Sequence, residues 1–524
     1  MSTLIIFILC ILSALVGYFL KIRGVRTAYI WMILVFISFM LWTALIIIPY
    51  NRFSPIIHNN WFRFGETRIN LQFVINPQNW ILVVSLFALN LSFLLTGISR
   101  LDIKNDLANW VFQLLLIAFS FLALISADLW SILLLWTAID LLELGFHIMV
   151  LKDASEKIYF RRFIIKSIGS MVLIWNIASL SRSGFNPLIN GIVSSIPNTS
   201  IFLAVLLHSG IFPFESESKN SSSVRSSDLL KKLFIIMNFI VSFSVITNLQ
   251  TPELPFVFSL SISIIAYFLI IYFSLRWALL SGKDFSFQPL LFLESGVFIF
   301  LYFYGAAQYI IYILALLTIS IFWLELFSHR SKRLLIFPFI GTFLISGLPF
   351  SLTAFGTRGF IGYGVSLGLI VFLISQIFFM IGYIKRAFAS NEKFSELDIW
   401  YQVAYLVGLF IPFISAVAII ILSKAAIDLE LMNWWVGAIV ALIAVVGYLL
   451  LKKSISISSS EKFFGQGNRI FILRLLSLEW LFNIFSFIEI KVRGFVDGLS
   501  ELMEGEGGIL WALVLLILIF SMLT

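Results

Sequence analysis

Residues 207–214 read LHSGIFPF and end the apolar segment 199–214. Pro213 removes a backbone donor and strains the turn before it, so we expect this helix to be kinked or broken beside His208. A break at mid-membrane depth is tolerated only where its polar backbone faces protein or water. The stretch therefore predicts an interrupted helix on the inside of a membrane bundle.

A second interruption occurs at residues 346–350, which read SGLPF. Gly347 and Pro349 are the expected helix breakers, and Arg358 places a charge close by. Two interrupted helices in corresponding places are the sequence sign of an internal repeat in a transporter. We therefore expect two inverted five-helix repeats, with broken seventh and twelfth helices. The predicted halves are residues 108–249 and 250–390.

The composition places most of the chain in lipid. Its 524 residues are 60% hydrophobic and 12% charged, with a mean hydropathy of +1.04, whereas soluble proteins are about 25% charged. One Cys and four His without a metal-ligand spacing predict that the chain holds no metal and no cofactor. The net charge of +8 is interpreted as basic loops facing one side of a membrane, so no nucleic acid partner is expected.

The apolar segments predict an all-α polytopic membrane protein. A spanning helix needs about 20 apolar residues, because the hydrocarbon layer is about 30 Å thick. On this measure we expect about 14–16 transmembrane helices. The candidate segments are residues 3–20, 28–49, 79–99, 108–126, 129–151, 163–181, 199–214, 229–249, 254–275, 289–304, 307–328, 334–356, 365–384, 402–423, 433–451 and 510–523.

The basic residues predict the orientation, since Lys and Arg concentrate in cytoplasmic loops. With the N-terminus outside, most of the 35 Lys and Arg residues fall in inward loops. An even number of helices then returns the C-terminus to the outer side. We expect an integral protein of the bacterial inner membrane.

Regions outside the two repeats have their own patterns. Residues 1–107 combine N-terminal transmembrane helices with an external hairpin at 50–78, where TRINLQF (67–73) alternates as a strand does. Residues 391–452 add further transmembrane helices, and 510–524 form a last one. Residues 453–509 hold an amphipathic helix along the cytoplasmic surface, with either a mechanical or only an anchoring role.

Ionisable residues inside membrane segments are candidate functional residues, because burying a charge in hydrocarbon is costly. Asp140, Glu143 and His147 are spaced by three and four residues, so they share one face of the fifth helix. This face can hold and release a proton. Alternatively, the two carboxylates neutralise Lys166 or Arg358 in a structural pair. Lys166 is itself within reach of the cytoplasmic interface, and Glu294 and Glu325 are interpreted as interfacial or paired.

These stretches resemble the antiporter-like membrane subunits of respiratory complex I, which are related to Mrp-type antiporters and membrane-bound hydrogenases. Residues 208–214 resemble the Lys-Ser-Ala-Gln-Phe-Pro-Phe segment of that family's broken seventh helix, and 346–357 resemble its broken twelfth. Residues 133–137 are similar to its fifth-helix pattern ending in Trp-Glu. Residues 161–170 and 63–77 also fit, and the C-terminal tail resembles a short form of the lateral helix of the largest such subunit.

The resemblance implies a row of proton-carrying residues that this sequence has largely replaced. The fifth-helix Glu corresponds to Thr137, the seventh-helix Lys to His208 and the twelfth-helix Lys to Thr357. Asp140 and Glu143 lie one and two turns beyond the missing Glu. Either the pathway has been rebuilt on Asp140, Glu143 and His208, with Arg358 setting their field, or the fold has been kept without conduction.

Three functions remain open. The chain is a proton- or cation-translocating subunit of a complex I-related assembly, a non-conducting structural subunit, or the membrane half of an energised inorganic-carbon uptake system. In each case we expect other membrane subunits as partners, together with a peripheral energy-supplying module. The sequence contains no catalytic site of its own. The resemblance implies participation in an NADH:quinone oxidoreductase-like translocase.

Overall fold

A computed structural model of the chain describes most of the sequence up to residue 456. The described ranges are 3–64, 67–100, 106–151, 156–182, 195–212, 226–249, 256–279, 288–327, 329–330, 332–361, 366–388, 392–393, 398–422 and 434–456. Residues up to Leu450 form one compact unit, and a second unit begins at Leu451.

The described chain is almost entirely helical. Its helices are α1 (Thr3–Ile22), α2 (Thr27–Ile47), α3 (Pro77–Gly97), α4 (Asp106–Leu124), α5 (Leu129–Phe146), α6 (Glu156–Arg182), α7 (Ser195–His208), α8 (Ser226–Ser244), α9 (Phe256–Leu279), α10 (Gln288–Phe303), α11 (Ile310–Leu316), α12 (Phe322–Leu326), α13 (Ile336–Ile345), α14 (Leu352–Ile361), α15 (Leu367–Ala387), α16 (Ile399–Leu422) and α17 (Trp434–Ser456). Short π-helical turns at His147–Leu151 and Leu317–Ile321 follow α5 and α11.

The helices confirm the predicted all-α membrane architecture. Within the described ranges, 11 helices are long and apolar enough to cross a membrane, and shorter apolar helices lie in α7, α10, α13 and α17. Each predicted segment from 3–20 to 433–451 has a helix at its position. The predicted surface helix at 453–509 falls almost wholly outside the described residues, and the last spanning helix at 510–524 falls entirely outside them.

A β-hairpin connects α2 to α3 and fixes the start of α5. Strands β1 (Ile56–Phe64) and β2 (Thr67–Phe73) pair antiparallel, which confirms the hairpin predicted at 50–78. The Asp128 carboxylate accepts hydrogen bonds from the backbone N–H of Gln72 in β2 and of Ser131 in α5, each at 2.8 Å. Asp128 is therefore both the N-cap of α5 and its link to the hairpin.

Two short strands elsewhere, β3 (His329–Arg330) and β4 (Glu392–Lys393), pair in parallel. They join the loop that follows α12 to the loop that follows α15. Sequence patterns gave no sign of this pair, since two residues are too few for a detectable alternation.

The chain leaves the helical conformation at both predicted positions. Helix α7 ends at His208, and Gly210 has a positive φ of 73°; Pro213 itself lies outside the described residues. The twelfth span is divided into α13 and α14 by residues 346–351, where Gly347 (φ 75°) and Phe350 (φ 64°) adopt the left-handed conformation. Each break thus has a glycine, after a serine, in a backbone state that other residues rarely adopt.

The interior of the compact unit is built around two helices. In α3, every residue from Asn79 to Thr96 is buried, and in α10 every residue from Pro289 to Tyr302. Helix α3 packs against α16 and α2, and α10 packs against α9. By contrast α1, α2 and α9 leave large apolar side chains such as Phe19, Phe36 and Phe258 exposed, as expected of helices that meet lipid.

Candidate functional site

Helix α5 carries two buried carboxylates into the interior of the bundle. Asp140 and Glu143 retain only 5% and 6% of their exposure. His147 follows one turn later, at the start of the π-helical turn, and is also buried. The three residues share one helix face, as their spacing predicted, and π-helical turns inside membrane helices often mark functional positions.

Lys166 of α6 lies between the two carboxylates. Its ammonium donates to Asp140 Oδ1 at 3.2 Å and to Glu143 Oε2 in a shorter contact. The side chain is 1% exposed, so the expectation that it reaches the membrane interface is wrong. The alternative expectation of a buried ion pair with Lys166 matches this geometry.

His208, at the end of α7, completes a buried cluster that consists of Asp140, Glu143, Lys166 and His208. Its Nε2 lies 3.2 Å from Asp140 Oδ2, and its Nδ1 lies 2.8 Å from the hydroxyl of Ser242 on α8. The Trp136 indole stacks on the imidazole, with ring centroids 3.9 Å apart and planes within 6°. Since either ring nitrogen can carry the proton, the tautomer decides whether Ser242 donates or accepts.

Gly169 allows α6 and α7 to approach closely at this point. A Cβ atom at residue 169 would lie 2.9 Å from both the Ala204 carbonyl oxygen and the His208 backbone nitrogen. Both atoms belong to a helix backbone, which cannot move aside as a flexible side chain can. The missing side chain at residue 169 is therefore what brings His208 and Lys166 together around Asp140.

Residues that the sequence did not single out complete the surroundings of Glu143. Asn238 of α8 donates to Glu143 Oε2 at 2.8 Å, and Arg162 Nη1 lies 3.8 Å from Glu143 Oε1. Arg162 precedes Lys166 by four residues, so the basic i, i+4 pair on α6 was the available sequence signal. A second available signal was the spacing of four residues between Asn238 and Ser242 on α8.

A small cavity adjoins the carboxylates. It leaves about 10 Å³ for the centre of a water molecule, which is room for about one water. Its walls include Asp140, Glu143, His147, Tyr159, Arg162 and Lys166. The His147 ring stacks on Tyr159 with centroids 3.5 Å apart, and His147 Nε2 lies 3.9 Å from Glu143 Oε1, too far for a direct hydrogen bond.

The charges and hydrogen bonds of this cluster determine whether it can transfer a proton. When ionised, Asp140 and Glu143 are balanced by Lys166 and Arg162, so a proton added to His208 is extra positive charge. Asp140 directs one oxygen at the Lys166 ammonium and the other at the His208 imidazole. One carboxylate thus joins two groups that can each hold a proton, a geometry suited to proton transfer.

The positions matched to the family's proton row are arranged differently. Thr137 is exposed, and its hydroxyl donates to the Leu134 carbonyl oxygen at 2.8 Å. A carboxylate meets His208 one turn further along, at Asp140. The carboxylate beside His208 therefore lies three residues after Thr137, the position that the resemblance matches to the glutamate.

The second break is lined by neutral groups. A cavity there leaves about 20 Å³ for water centres, between Ser346 and Gly347 of the break and residues of α14, α15 and α17. Thr357 and Gln376 are its polar side chains beside Ser346, and Gln376 Nε2 donates to the Ile345 carbonyl oxygen at 2.6 Å. Arg358 lies outside this lining on α14, with its guanidinium carbon 5.8 Å from the Phe355 ring centre. Helix α14 packs mainly against α11, α13 and α15, and none of these helices carries Asp140, Glu143, Lys166 or His208.

The fold and this buried cluster define an integral membrane protein with a charged centre at the end of α7. No protein-family model matches the sequence, and no curated protein does. Solved structures do match it across nearly its whole length.

Three solved structures show the likeness. The archaeal membrane-bound sulfane sulfur reductase contains a chain that matches with a TM-score of 0.61 at 14% identity, over 98% of this chain and 99% of that one. The Mrp complex from Dietzia sp. DQ12-45-1b gives 0.66 at 11% identity, over 99% of this chain and 62% of that one. Respiratory complex I from Thermus thermophilus gives 0.57 at 10% identity, over 80% and 98%. This chain thus spans about three fifths of the Mrp-complex chain.

The chain therefore shares its fold with chains of these three membrane complexes, which confirms the fold that the resemblance in its sequence implied. At 10–14% identity, the likeness extends to the fold and not to individual residues.

Proposed function

We propose that this chain is a proton-translocating membrane subunit of a multi-subunit, complex I-related assembly. Its exchange centre is the cluster of Asp140, Glu143, Lys166 and His208. The observation that carries the proposal is the placement of His208, fully buried at the end of broken α7 and 3.2 Å from Asp140. A structural ion pair alone needs no imidazole at that position.

Two contacts favour the protonated form of His208, whereas its complete burial disfavours a charge there. Asp140 supplies a negative charge within hydrogen-bond distance, and the face of the Trp136 ring attracts a cation. Asp140 is shared with Lys166, so a proton arriving on His208 competes with the ammonium for the same carboxylate. A change in the position of Lys166 would therefore favour the binding or the release of a proton at His208. This competition is a means of coupling the cluster to movement or charge elsewhere.

The geometry favours a proton over a metal cation. Hard cations bind several oxygen ligands at once. Here the oxygens of Asp140 and Glu143 are already directed at Lys166, His208, Asn238 and Arg162. A proton needs no such coordination shell and can pass between partners that remain in place.

The energy for transport is assigned to partner subunits. The sequence shows no phosphate-binding loop and no cofactor ligands. The structures with the same fold are a sulfane sulfur reductase, an Mrp complex and respiratory complex I. By analogy, we infer that neighbouring membrane subunits contact this chain and that a peripheral module drives it.

We also retain the predicted topology within this proposal. The breaks at 209–212 and 346–351 correspond in residue type and backbone conformation, which supports two inverted repeats over 108–249 and 250–390. The basic loops support termini on the outer side of a bacterial inner membrane.

A second candidate is a structural subunit that does not conduct. The lining of the second break favours it, because the cavity at α13 and α14 contains Ser346, Thr357 and Gln376 and no titratable side chain among its described walls. A proton pathway that used only the positions matched to the family's proton row would have no titratable side chain in this lining. The two candidates differ in whether His208 and Asp140 change protonation during turnover.

Proton flux through the full-length chain tests the proposal. The chain, purified with its co-eluting subunits, is reconstituted in liposomes that contain a pH-sensitive dye, and a potassium diffusion potential drives uptake. The triple variant D140N/E143Q/H208A is expected to lose at least nine tenths of the flux. The matched control K232M/E325Q removes another ion pair, whose Nζ–Oε2 distance is 2.9 Å, and should leave the flux unchanged.

The outcomes separate the two candidates. Equal flux through the wild type and the triple variant contradicts the proposed exchange centre. A wild-type complex that assembles fully and carries no flux above that of empty liposomes favours the structural role. Loss of flux in both variants would show that any missing ion pair disturbs the bundle.

A further inference from the structure

Glu294 is a buried carboxyl group outside the cluster. It lies in the middle of α10, retains 5% of its exposure, and stands among residues 289–302, all of which are buried. It makes no hydrogen bond or ion pair with any residue that the structure describes. This overturns the expectation that it is interfacial or paired, whereas Glu325, considered with it, does pair with Lys232 at 2.9 Å.

An unpaired carboxylate in such surroundings costs several kcal/mol, so the neutral acid is the form that burial favours. Structural glutamates in apolar interiors are rare unless they are paired. The position therefore calls for a role in which the carboxyl group holds a proton.

The face of α10 that carries Glu294 points toward α7 and α8. Phe298, one turn further along the same face, contacts Phe239 and Phe243 of α8, with ring centres 5.7 and 5.0 Å away. Two adjoining positions of α8, Asn238 and Ser242, contact Glu143 and His208. Neighbouring positions of α8 thus contact α10 and the cluster.

The non-helical end of α7 contacts both the cluster and α10. A Cβ atom on Gly210 would lie 3.6 Å from Lys166 Cε and 3.8 Å from Asn238 Cβ, so this stretch touches the cluster. Two residues later, the Phe212 ring meets Phe292 of α10 at 5.7 Å. Phe292 lies about 200° around the helix from Glu294, so it is the Phe298 face, against α8, that links Glu294 to the cluster.

We propose that Glu294 is a second proton-binding site, which exchanges protons with the His208–Asp140 centre across α8. The inference rests on the proposed transport function, and it extends the pathway to a helix that the resemblance did not include. The transfer is a proton leaving the protonated cluster and forming an O–H bond on the Glu294 carboxylate, with no change of redox state.

Dicyclohexylcarbodiimide tests the protonation state independently of transport. This reagent enters from the lipid and couples covalently to protonated carboxyl groups in apolar surroundings. In the full-length chain within its complex, mass spectrometry is expected to find the adduct on Glu294 and not on Glu325, which is paired with Lys232. An adduct on Glu325 and not on Glu294 would overturn the proposal.

Flux measurements test the exchange. E294Q keeps the shape but cannot release a proton, so it is expected to lower flux through the reconstituted complex at least tenfold. E294D keeps a titratable group and should retain a substantial part of the flux, whereas E325Q, the matched control, should behave as the wild type. Flux through E294Q equal to that of the wild type refutes the inference, as does a loss of flux in E294D as complete as in E294Q.

The two proposals fail differently. If D140N/E143Q/H208A abolishes flux and E294Q does not, only the role of Glu294 is refuted. If E294Q lowers flux and the triple variant does not, the exchange centre is wrong, and the inferred exchange with it falls too. A wild type without flux refutes both transport roles at once.

Discussion

Removing Lys166 tests whether the charged cluster is held together as the contacts indicate. In K166M, the ammonium that now lies 3.2 Å from Asp140 and in contact with Glu143 is replaced by an apolar side chain of similar length. Glu143 keeps Arg162 at 3.8 Å, but Asp140 has no other cation within 4 Å among the described residues apart from His208 when protonated. The variant therefore leaves one excess buried negative charge.

The expected loss follows from this charge count. Breaking a buried ion pair by removing one partner costs about 3–5 kcal/mol, because the remaining charge stays desolvated. The double variant K166M/D140N restores the balance, since Glu143 and Arg162 remain, so we expect it to recover about half of the loss or more. K166M/E143Q should recover less, because Arg162 contacts Glu143 and not Asp140.

Cys10 provides the assay. It is the single cysteine of the chain, and it is buried in α1 with a free thiol. A fluorescent thiol reagent therefore reports unfolding when the purified chain is titrated with SDS in mixed micelles. K21M, which removes an exposed lysine at the end of α1, serves as the control and should lie within about 0.5 kcal/mol of the wild type.

Two results would refute the reasoning. A K166M chain less than about 1 kcal/mol less stable than the wild type would mean that water reaches the carboxylates, as for an exposed pair. Failure of D140N to rescue K166M, with E143Q rescuing it instead, would mean that Lys166 chiefly serves Glu143.

Two further predictions concern His208. G169A is expected to push α7 away from α6 and lower proton flux severalfold, because the new Cβ meets backbone atoms at 2.9 Å. The matched control is G145A, whose Cβ meets only Phe112 at 3.8 Å. Equal flux in the two variants would contradict the role of Gly169 in positioning His208. Protonation of His208 should quench Trp136, which stacks on it at 3.9 Å, so W136F and H208Q should each remove the same pH-dependent step from the tryptophan emission; a step unchanged in either variant would contradict it.

The sequence predicted features that depend on neighbouring residues along the chain. The spans were identifiable because about 20 consecutive apolar residues are a local property. The breaks beside His208 and at Gly347 were identifiable because glycine and proline act on their own backbone. The shared face of Asp140 and Glu143 followed from their spacing alone.

The partners of those carboxylates could be predicted only in part. Lys166 was named as one possible partner and Arg358 as another, and the sequence could not choose between them. The choice depends on α6 lying against α5 while α14 packs on α11, α13 and α15. The sequence could not predict that Glu294 lacks a partner for the same reason, because residue spacing does not show which side chains of other helices lie beside it.

What the sequence by itself determined is where the chain crosses lipid and where its helices break, because hydrophobic length and backbone restriction are set residue by residue. What only the tertiary structure decided is which side chains meet. Gly169 lets α6 and α7 approach until Lys166 and His208 share Asp140, and α10 buries Glu294 without a partner among the described residues. Those contacts join helices that lie far apart in the chain, so their energies depend on the packing of the whole bundle.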